Sequence, residues 1–545
     1  MKSVMSHDFS RIPRSDIKVS TFDRSHGVKT AFDSGYLVPI FLDEVLPGDT
    51  YEVKASMLAK MLSPMVSAPM DNIFLETQWF YCPSRLLYNN FTRLMGERKN
   101  PGDSIDFIIP TLNSGEEGFK VGSLADYFGI PINVPNLEVS ALPFRMYAKV
   151  WDEWYRAEQL QNCIINQYED LGDSNPNNIE WNTLLRRGKR HDYFTSALPY
   201  PQLGAGVEMP IGGFASVIGD GNALGMTTGV ANYGLRTGTA TVTCASDAYG
   251  VEVGATATGN PPNSDNKALG VTTDPEKSGL VADLSSATAV TINALRTAFQ
   301  IQRMLEKDAR GGTRYVELIR AHFNTICPDA RLQRSEYLGG SSQLINIHQQ
   351  FQNSATDSVT PQGNRISTAQ TFSQAVWKKS FTEHGYILGL VNVRVDLNYQ
   401  QGLNRLWSRS TRYDFYWPSL AHLGEQAVLN KEIYAQGSDV KDNQGRIIDD
   451  LPFGYQERYA EYRYHPSIIT GKLRSTSETP LDVWHLAQKF DDLPKLSAEW
   501  IEDNPPIKRV LAVQDEPEFI FDAYIACKTT RPMPVYSVPG LVDHF

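Results

Sequence analysis

Between His384 and Phe415 apolar and polar residues first alternate strictly and then give way to an aromatic, arginine-rich stretch. Ile387, Val391, Val393, Val395, Leu397 and Tyr399 fall on one face of an extended chain, and Asn392, Arg394, Asp396 and Asn398 on the other, which predicts a half-buried antiparallel strand. From Gln400 to Trp417, Arg405, Arg409 and Arg412 lie among Trp407, Tyr413, Phe415, Tyr416 and Trp417. Such mixtures are enriched where proteins meet one another, so Arg405, Trp407, Arg409, Arg412 and Tyr413 are interface candidates. Strand-like runs at Tyr36–Leu42 and Phe74–Cys82, with turn signals at Pro47-Gly48, Pro101-Gly102 and Ser114-Gly115, extend the β pattern and suggest a β-sandwich. Helical spacing interrupts it at Phe144–Leu160 and at Ile292–Ala309, where Ile292, Leu295, Phe299 and Leu305 make a stripe ending at Gly311-Gly312; a shorter helix, Arg314–Phe323, follows. Both stripes predict core packing, since amphipathic faces ordinarily exist to be buried.

Three segments lack this periodicity. Residues 1–30 carry Lys2, Arg11, Arg14, Lys18, Arg24 and Lys29 with few apolar positions, so they read as a basic extended arm that needs a surface to lie on, with Arg11 and Arg14 as DNA-contact candidates. Residues 216–290 are made largely of Gly, Ala, Thr, Ser and Val, with short alternations such as Thr239–Thr243 and a turn-like Gly259–Asn263, and read as a surface insertion. Residues 531–545 contain Pro532, Pro534 and Pro539, which exclude a helix, yet Met533, Val535, Tyr536, Leu541 and Phe545 are too apolar for a solvated tail. That combination predicts an extended strap buried on the subunit or a neighbour, with Tyr536 and Phe545 as contacts. The body then divides into 31–215, with its helical excursion, and 291–530.

With 545 residues, 41% hydrophobic and 11% aromatic, the chain can bury a large core. A net charge of −11 argues against a surface that coats nucleic acid throughout, so any DNA contact is local. Five scattered cysteines with no Cys-x-x-Cys spacing read as buried thiols in a reducing compartment. No apolar run approaches the roughly 20 residues of a spanning helix, and the amino terminus lacks the apolar core of an export signal. Phosphate-loop, dinucleotide, zinc-protease and nucleophile-elbow motifs are missing. His422 with Glu425, and His465 beside Arg463, read as structural; Asp449-Asp450 and Asp491-Asp492 read as turn residues rather than a glycosidase pair. The expectation is no enzyme, no cofactor and no metal, with a secreted carbohydrate-active sandwich enzyme as the rival class.

One basic cluster rises above the acidic background. Arg186, Arg187, Lys189 and Arg190, followed by His191, Tyr193 and Phe194, could neutralise phosphates while the rings stack on unpaired bases. A solvated loop, or a contact to acids of a neighbouring subunit, fits the same residues.

HGYILGLVNVRVDLNYQQGLNRLWSRSTRYDF (residues 384–415), AHLGEQAVLNKEIYAQG (421–437), FGYQERYAEYRYHPSIITGKLRS (453–475), LDVWHLAQKF (481–490) and RPMPVYSVPGLVDHF (531–545) resemble the major capsid proteins of the gokushovirus branch of the Microviridae. So do STFDRSHGVKTAFDSGYLVPIFLDEVLPGDT (20–50) and LLRRGKRHDYFTSALPYPQ (184–202). The resemblance spans the chain apart from its middle. It implies a mainly β protein: a single eight-stranded antiparallel jelly roll with large loop insertions and a few helices. It further implies a homo-oligomeric T=1 icosahedral shell enclosing circular single-stranded DNA, assembled in the host bacterial cytoplasm. The divergent insertion would form threefold protrusions that meet a host cell-surface receptor. A small DNA-binding protein, an internal scaffolding protein and a pilot protein would be companions of the virion.

Overall fold

In the computed structural model the described residues are 18–164, 182–207, 216–219, 226–230, 267–271, 280–283, 292–312, 315–324, 333–354, 356, 358 and 362–536. They form two compact units, one of residues 1–203 with 306–545 and one of residues 204–305. Within the first, ten strands build two antiparallel sheets. In chain order they are β1 (Ser20–Asp23), β2 (His26–Phe32), β3 (Val38–Val45), β4 (Thr50–Met61) and β5 (Ile73–Pro83), followed by β6 (Glu336–Leu344), β7 (Asn346–Phe351), β8 (Arg365–Ser380), β9 (Gly385–Val395) and β10 (Phe519–Arg531). One sheet runs β1-β10-β4-β8-β7, with β2 also on β10, and the other runs β6-β5-β9-β3.

The pairing β2-β10-β4-β8 against β6-β5-β9-β3 is jelly-roll order. The two sheets hold ten strands where the resemblance implies eight, for local reasons. Arg24 and Ser25 divide β1 from β2 along β10, and the buried Ile345 forms the corner at which β6 leaves one sheet and β7 joins the other. Strands β1 and β2 take up much of the proposed basic arm; residues 1–17, with Arg11 and Arg14, lie outside the described residues.

Alternation fixes the core. Tyr51, Val53, Ala55, Met57 and Ala59 of β4, Phe519, Phe521, Ala523 and Ile525 of β10, and Trp377 of β8 meet Leu75 and Trp79 of β5 and Ile387, Val391 and Val393 of β9. Gly389 is required in β9, because a Cβ there would stand 2.9 Å from the Trp79 ring and 3.0 Å from Phe41 Cβ. The other face of the β5–β9 sheet is covered as well. Helix α1 (Leu142–Trp154) lays Phe144, Tyr147, Val150 and Trp151 on Phe80, Cys82, Leu388 and Leu390. Strand β9 is therefore buried on both faces, not half-buried as its alternation predicts.

Helices α2 (Ile292–Gly311) and α3 (Tyr315–Phe323) lie where their spacing places them, and Gly312, at φ 94°, ends the first. The α2 stripe corrects the expectation of core packing: Ile292 and Phe299 are 67% and 63% exposed, and only Ala309 is buried. The last turns of α2 are held by polar contacts, Asp308 to His322 and Arg310 to Glu425. In the second unit, two short antiparallel ladders pair 216–219 with 280–283 and 226–230 with 267–271; Thr239–Thr243 and Gly259–Asn263 lie outside the described residues. Cys163 is exposed, against the expectation of burial, whereas Cys82 and Cys527 are buried.

Candidate assembly interface

Residues 184–190 run as an added strap across the polar end of the β5–β9 sheet. Backbone bonds hold both sides: Leu37 N–H donates to the Leu185 carbonyl and Arg187 N–H to Gly35, while Lys189 N–H donates to Ile501 and Asp503 N–H to Arg187. This places Arg187 and Arg190 over Glu76 of β5, with Asn392 and Arg394 of β9 beside them, and turns Arg186 and Lys189 towards Tyr36 and Trp500. Arg187 pairs with Glu76 and donates to Asn392 Oδ1 at 3.0 Å. Arg190 bridges Glu76 at 3.0 Å and Asp396 at 2.8 Å. Arg394 donates to the Gly188 carbonyl at 3.0 Å and lies 3.8 Å from Asp503. Arg186 stacks 4.0 Å over Tyr36 and donates to the Asp503 carbonyl at 3.0 Å; Lys189 is buried, 4.5 Å over Trp500.

The ionisations follow from this crowding. Burial pushes Asp503 up to about 6 and Lys189 down to about 8, with nearby opposite charges offsetting only part of the cost. Burial lowers Arg394 to about 10. Burial would raise Glu76 too, but Arg187, Arg394 and Arg190 together hold it below the usual carboxylate range. Arg186, Arg187, Lys189 and Arg190 are thus all engaged by partners within the subunit. Their acids, Glu76, Asp396 and Asp503, are distant in sequence. The available signal was the polar row of Asn392 and Arg394 on β9 with Asp396 just beyond it, a row that needed partners.

The aromatic stretch divides its residues by chemistry. Arg405 donates to the Ala427 carbonyl at 2.8 Å and to buried Glu432 at 3.1 Å, and Glu432 also accepts from Tyr193 at 2.9 Å. Arg409 pairs with Glu461 at 3.4 Å and stacks over Tyr462, and Arg412 stacks 4.6 Å over Trp417. Three 3-10 turns, Arg405–Ser408, Arg412–Asp414 and Pro418–Leu420, are pinned this way. The rings point outward: Trp407 is 74% and Tyr413 66% exposed, and Leu406, Phe415, Tyr416 and Leu423 are exposed with them. Single exposed apolar residues are ordinary; exposed rings grouped on successive turns make this stretch a candidate interaction surface. Tyr536 is exposed on the subunit, and Phe545 lies outside the described residues.

Residues 10–541 match the capsid protein (F protein) family. Capsid protein VP1 of Chlamydia phage 1 is 42% identical, covering 99% of this chain and 98% of that protein. Capsid protein VP1 of Bdellovibrio phage phiMH2K is 43% identical over 99% of the chain and 98% of its own, and VP1 of Spiroplasma virus 4 is 35% identical over 98% and 97%. The chain belongs to the capsid protein family of gokushovirus-type Microviridae. As a member it is a structural protein rather than an enzyme, a subunit of a homo-oligomeric shell and a component of the virion.

Capsid membership agrees with how the acids and histidines are used. Glu425, beside His422, is taken by Arg310, and Arg463, near His465, pairs with Glu457. Buried Asp449 accepts the backbone N–H groups of Gln436 and Gly437, while Asp450 pairs with Lys431. These are turn and scaffold roles. Among the described residues no acid, histidine and cysteine cluster could hold a metal, and no helix is long and apolar enough to cross a membrane.

Proposed function

We propose that copies of this chain close into a T=1 icosahedral shell around circular single-stranded DNA in the cytoplasm of a host bacterium. The observation that carries this reading is the belt of outward rings, Trp407, Tyr413, Phe415 and Tyr416, on turns pinned by inward arginines. A neighbouring copy would remove these rings from water at roughly 25 cal/mol per Å² of apolar surface. Turns already held in place lose little freedom on docking. Residues 531–545 are a second contact, a strap laid on a neighbour through Tyr536 and Phe545. The 216–290 insertion forms the protrusion that meets a host receptor, and Arg11 and Arg14 face the genome. A small DNA-binding protein, an internal scaffolding protein and a pilot protein accompany assembly.

Trp407→Ser with Tyr413→Ser tests the reading. Sedimentation should show a folded, soluble subunit that no longer assembles, because neither side chain supports the core. Particles at wild-type yield would move the subunit contact elsewhere.

A further inference from the structure

The sheet of β1 and β2 on β10, followed by β4, β8 and β7, turns one face to the core and leaves the other uncovered by any described residue. Because side chains alternate, the residues of that open face are fixed by the register. On β4 they are Glu52, Lys54, Leu58 and Lys60; on β8, Phe372, Gln374, Val376 and Lys378; on β10, Ile520, Asp522, Tyr524 and Lys528. Phe372 sits opposite Leu58 across the β8–β4 pair, and Tyr524 opposite Ser56 across the β10–β4 pair. The two rings thus flank β4 one pleat apart, 57% and 58% exposed.

The charges on this face run against those of the chain. Lys29, Lys54, Lys60, Lys378 and Lys528 oppose only Asp23, Glu52 and Asp522, whereas the whole chain carries a net −11. Lys29 pairs with Asp522 at 3.0 Å and Lys378 with Glu52 at 3.3 Å, and Lys528 stands opposite Asp23 across the β10–β1 pair. Both pairs are exposed and worth little. Lys54 and Lys60 make no ion pair among the described residues. An open sheet that displays separated rings amid lysines and amides is a stacking platform for unpaired bases, with cations placed for the phosphates between them.

We propose that this open face of the β10-β4-β8 sheet is the single-stranded DNA contact of the subunit, with Phe372 and Tyr524 stacking on bases and Lys54, Lys60 and Lys528 holding phosphates. The assignment rests on the shell reading, since it supplies the surface on which an enclosed genome would lie.

The test uses the full-length chain and an oligo(dT) probe titrated with salt. Lys54→Gln, Lys60→Gln and Lys528→Gln together should reduce the slope of log K against log salt by about 2, since roughly 0.7 counterion is released per phosphate contact on a single strand. Phe372→Leu with Tyr524→Leu should weaken binding on the order of tenfold per ring and leave the slope unchanged. Wild-type affinity and slope in both variants would overturn the assignment. Protection of the face from hydrogen exchange in DNA-free particles would also overturn it, by showing that another protein chain covers it. Electron microscopy of the wild-type chain separates the two readings: if closed shells never form, the shell reading fails, and the slope still decides the surface.

Discussion

Replacing Glu76 by Gln removes the carboxylate on which three guanidiniums converge while keeping the side chain's volume. Glu76 is buried; Arg187 pairs with it directly, Arg190 lies at 3.0 Å and Arg394 at 3.7 Å. Breaking a buried ion pair by removing one partner costs about 3–5 kcal/mol, because the other charge stays in low dielectric without compensation. Arg190 keeps Asp396 and Arg394 keeps Asp503, so the main orphan is Arg187, left with Asn392 Oδ1 and the Tyr155 ring. The lower end, about 3 kcal/mol, follows, a large part of a typical folding free energy of about 5–15 kcal/mol. Denaturant unfolding of the unassembled subunit, followed by tryptophan fluorescence, reads the loss as a lower midpoint. Arg187→Met in the Glu76→Gln background should cost less than the sum of the single changes, since the orphaned charge is then gone. A Glu76→Gln change within about 0.5 kcal/mol of wild type would refute the burial of these cations and return Arg186–Arg190 to the surface.

Asp503, held near 6, binds its proton in the folded state before an unfolded aspartate does at its usual 3.8, so its contribution to stability should grow as pH falls from 6 towards 4. Comparing the pH dependence of unfolding for wild type and Asp503→Asn checks the sign; the variant should lack that slope. Gly389→Val should cost about 1–3 kcal/mol by driving a side chain into Trp79 and Phe41, read as a lower melting temperature without loss of secondary structure. Shortening 216–290 to a Gly-Ser linker should leave particle yield intact and reduce adsorption to host cells; loss of soluble protein would show that the segment supports the fold.

The inward face of β9 was legible because alternation records which side meets a core, and Ile387, Val391 and Val393 are all there. Its outward face was not. Asn392 and Arg394 look solvated in sequence; the strap at 184–190, some two hundred residues away, hydrogen-bonds both, and Glu76 and Asp503 compensate the Arg394 charge. The partners of that strap's cations were not legible for the same reason: sequence gives their density but not the distance to Glu76. Helix α2 was legible as a helix but not in its burial, since an apolar stripe does not say which chain covers it. In the aromatic stretch the residue types were informative and their division was not: Arg405 and Arg409 turned inward onto Glu432 and Glu461, while Arg412 stayed exposed on the Trp417 ring and the other rings faced outward. The lysines of the open sheet are spread over β2, β4, β8 and β10 and form a group only once register aligns them.

The central claim is that this chain encloses a genome by repeating one subunit, and imaging the purified full-length protein by electron microscopy at high enough resolution to trace the sheets tests it most directly. Closed isometric particles of uniform size, with Trp407 and Tyr413 buried between neighbouring subunits, are the predicted result; filaments, or monomers that stay dispersed under every assembly condition, would contradict it.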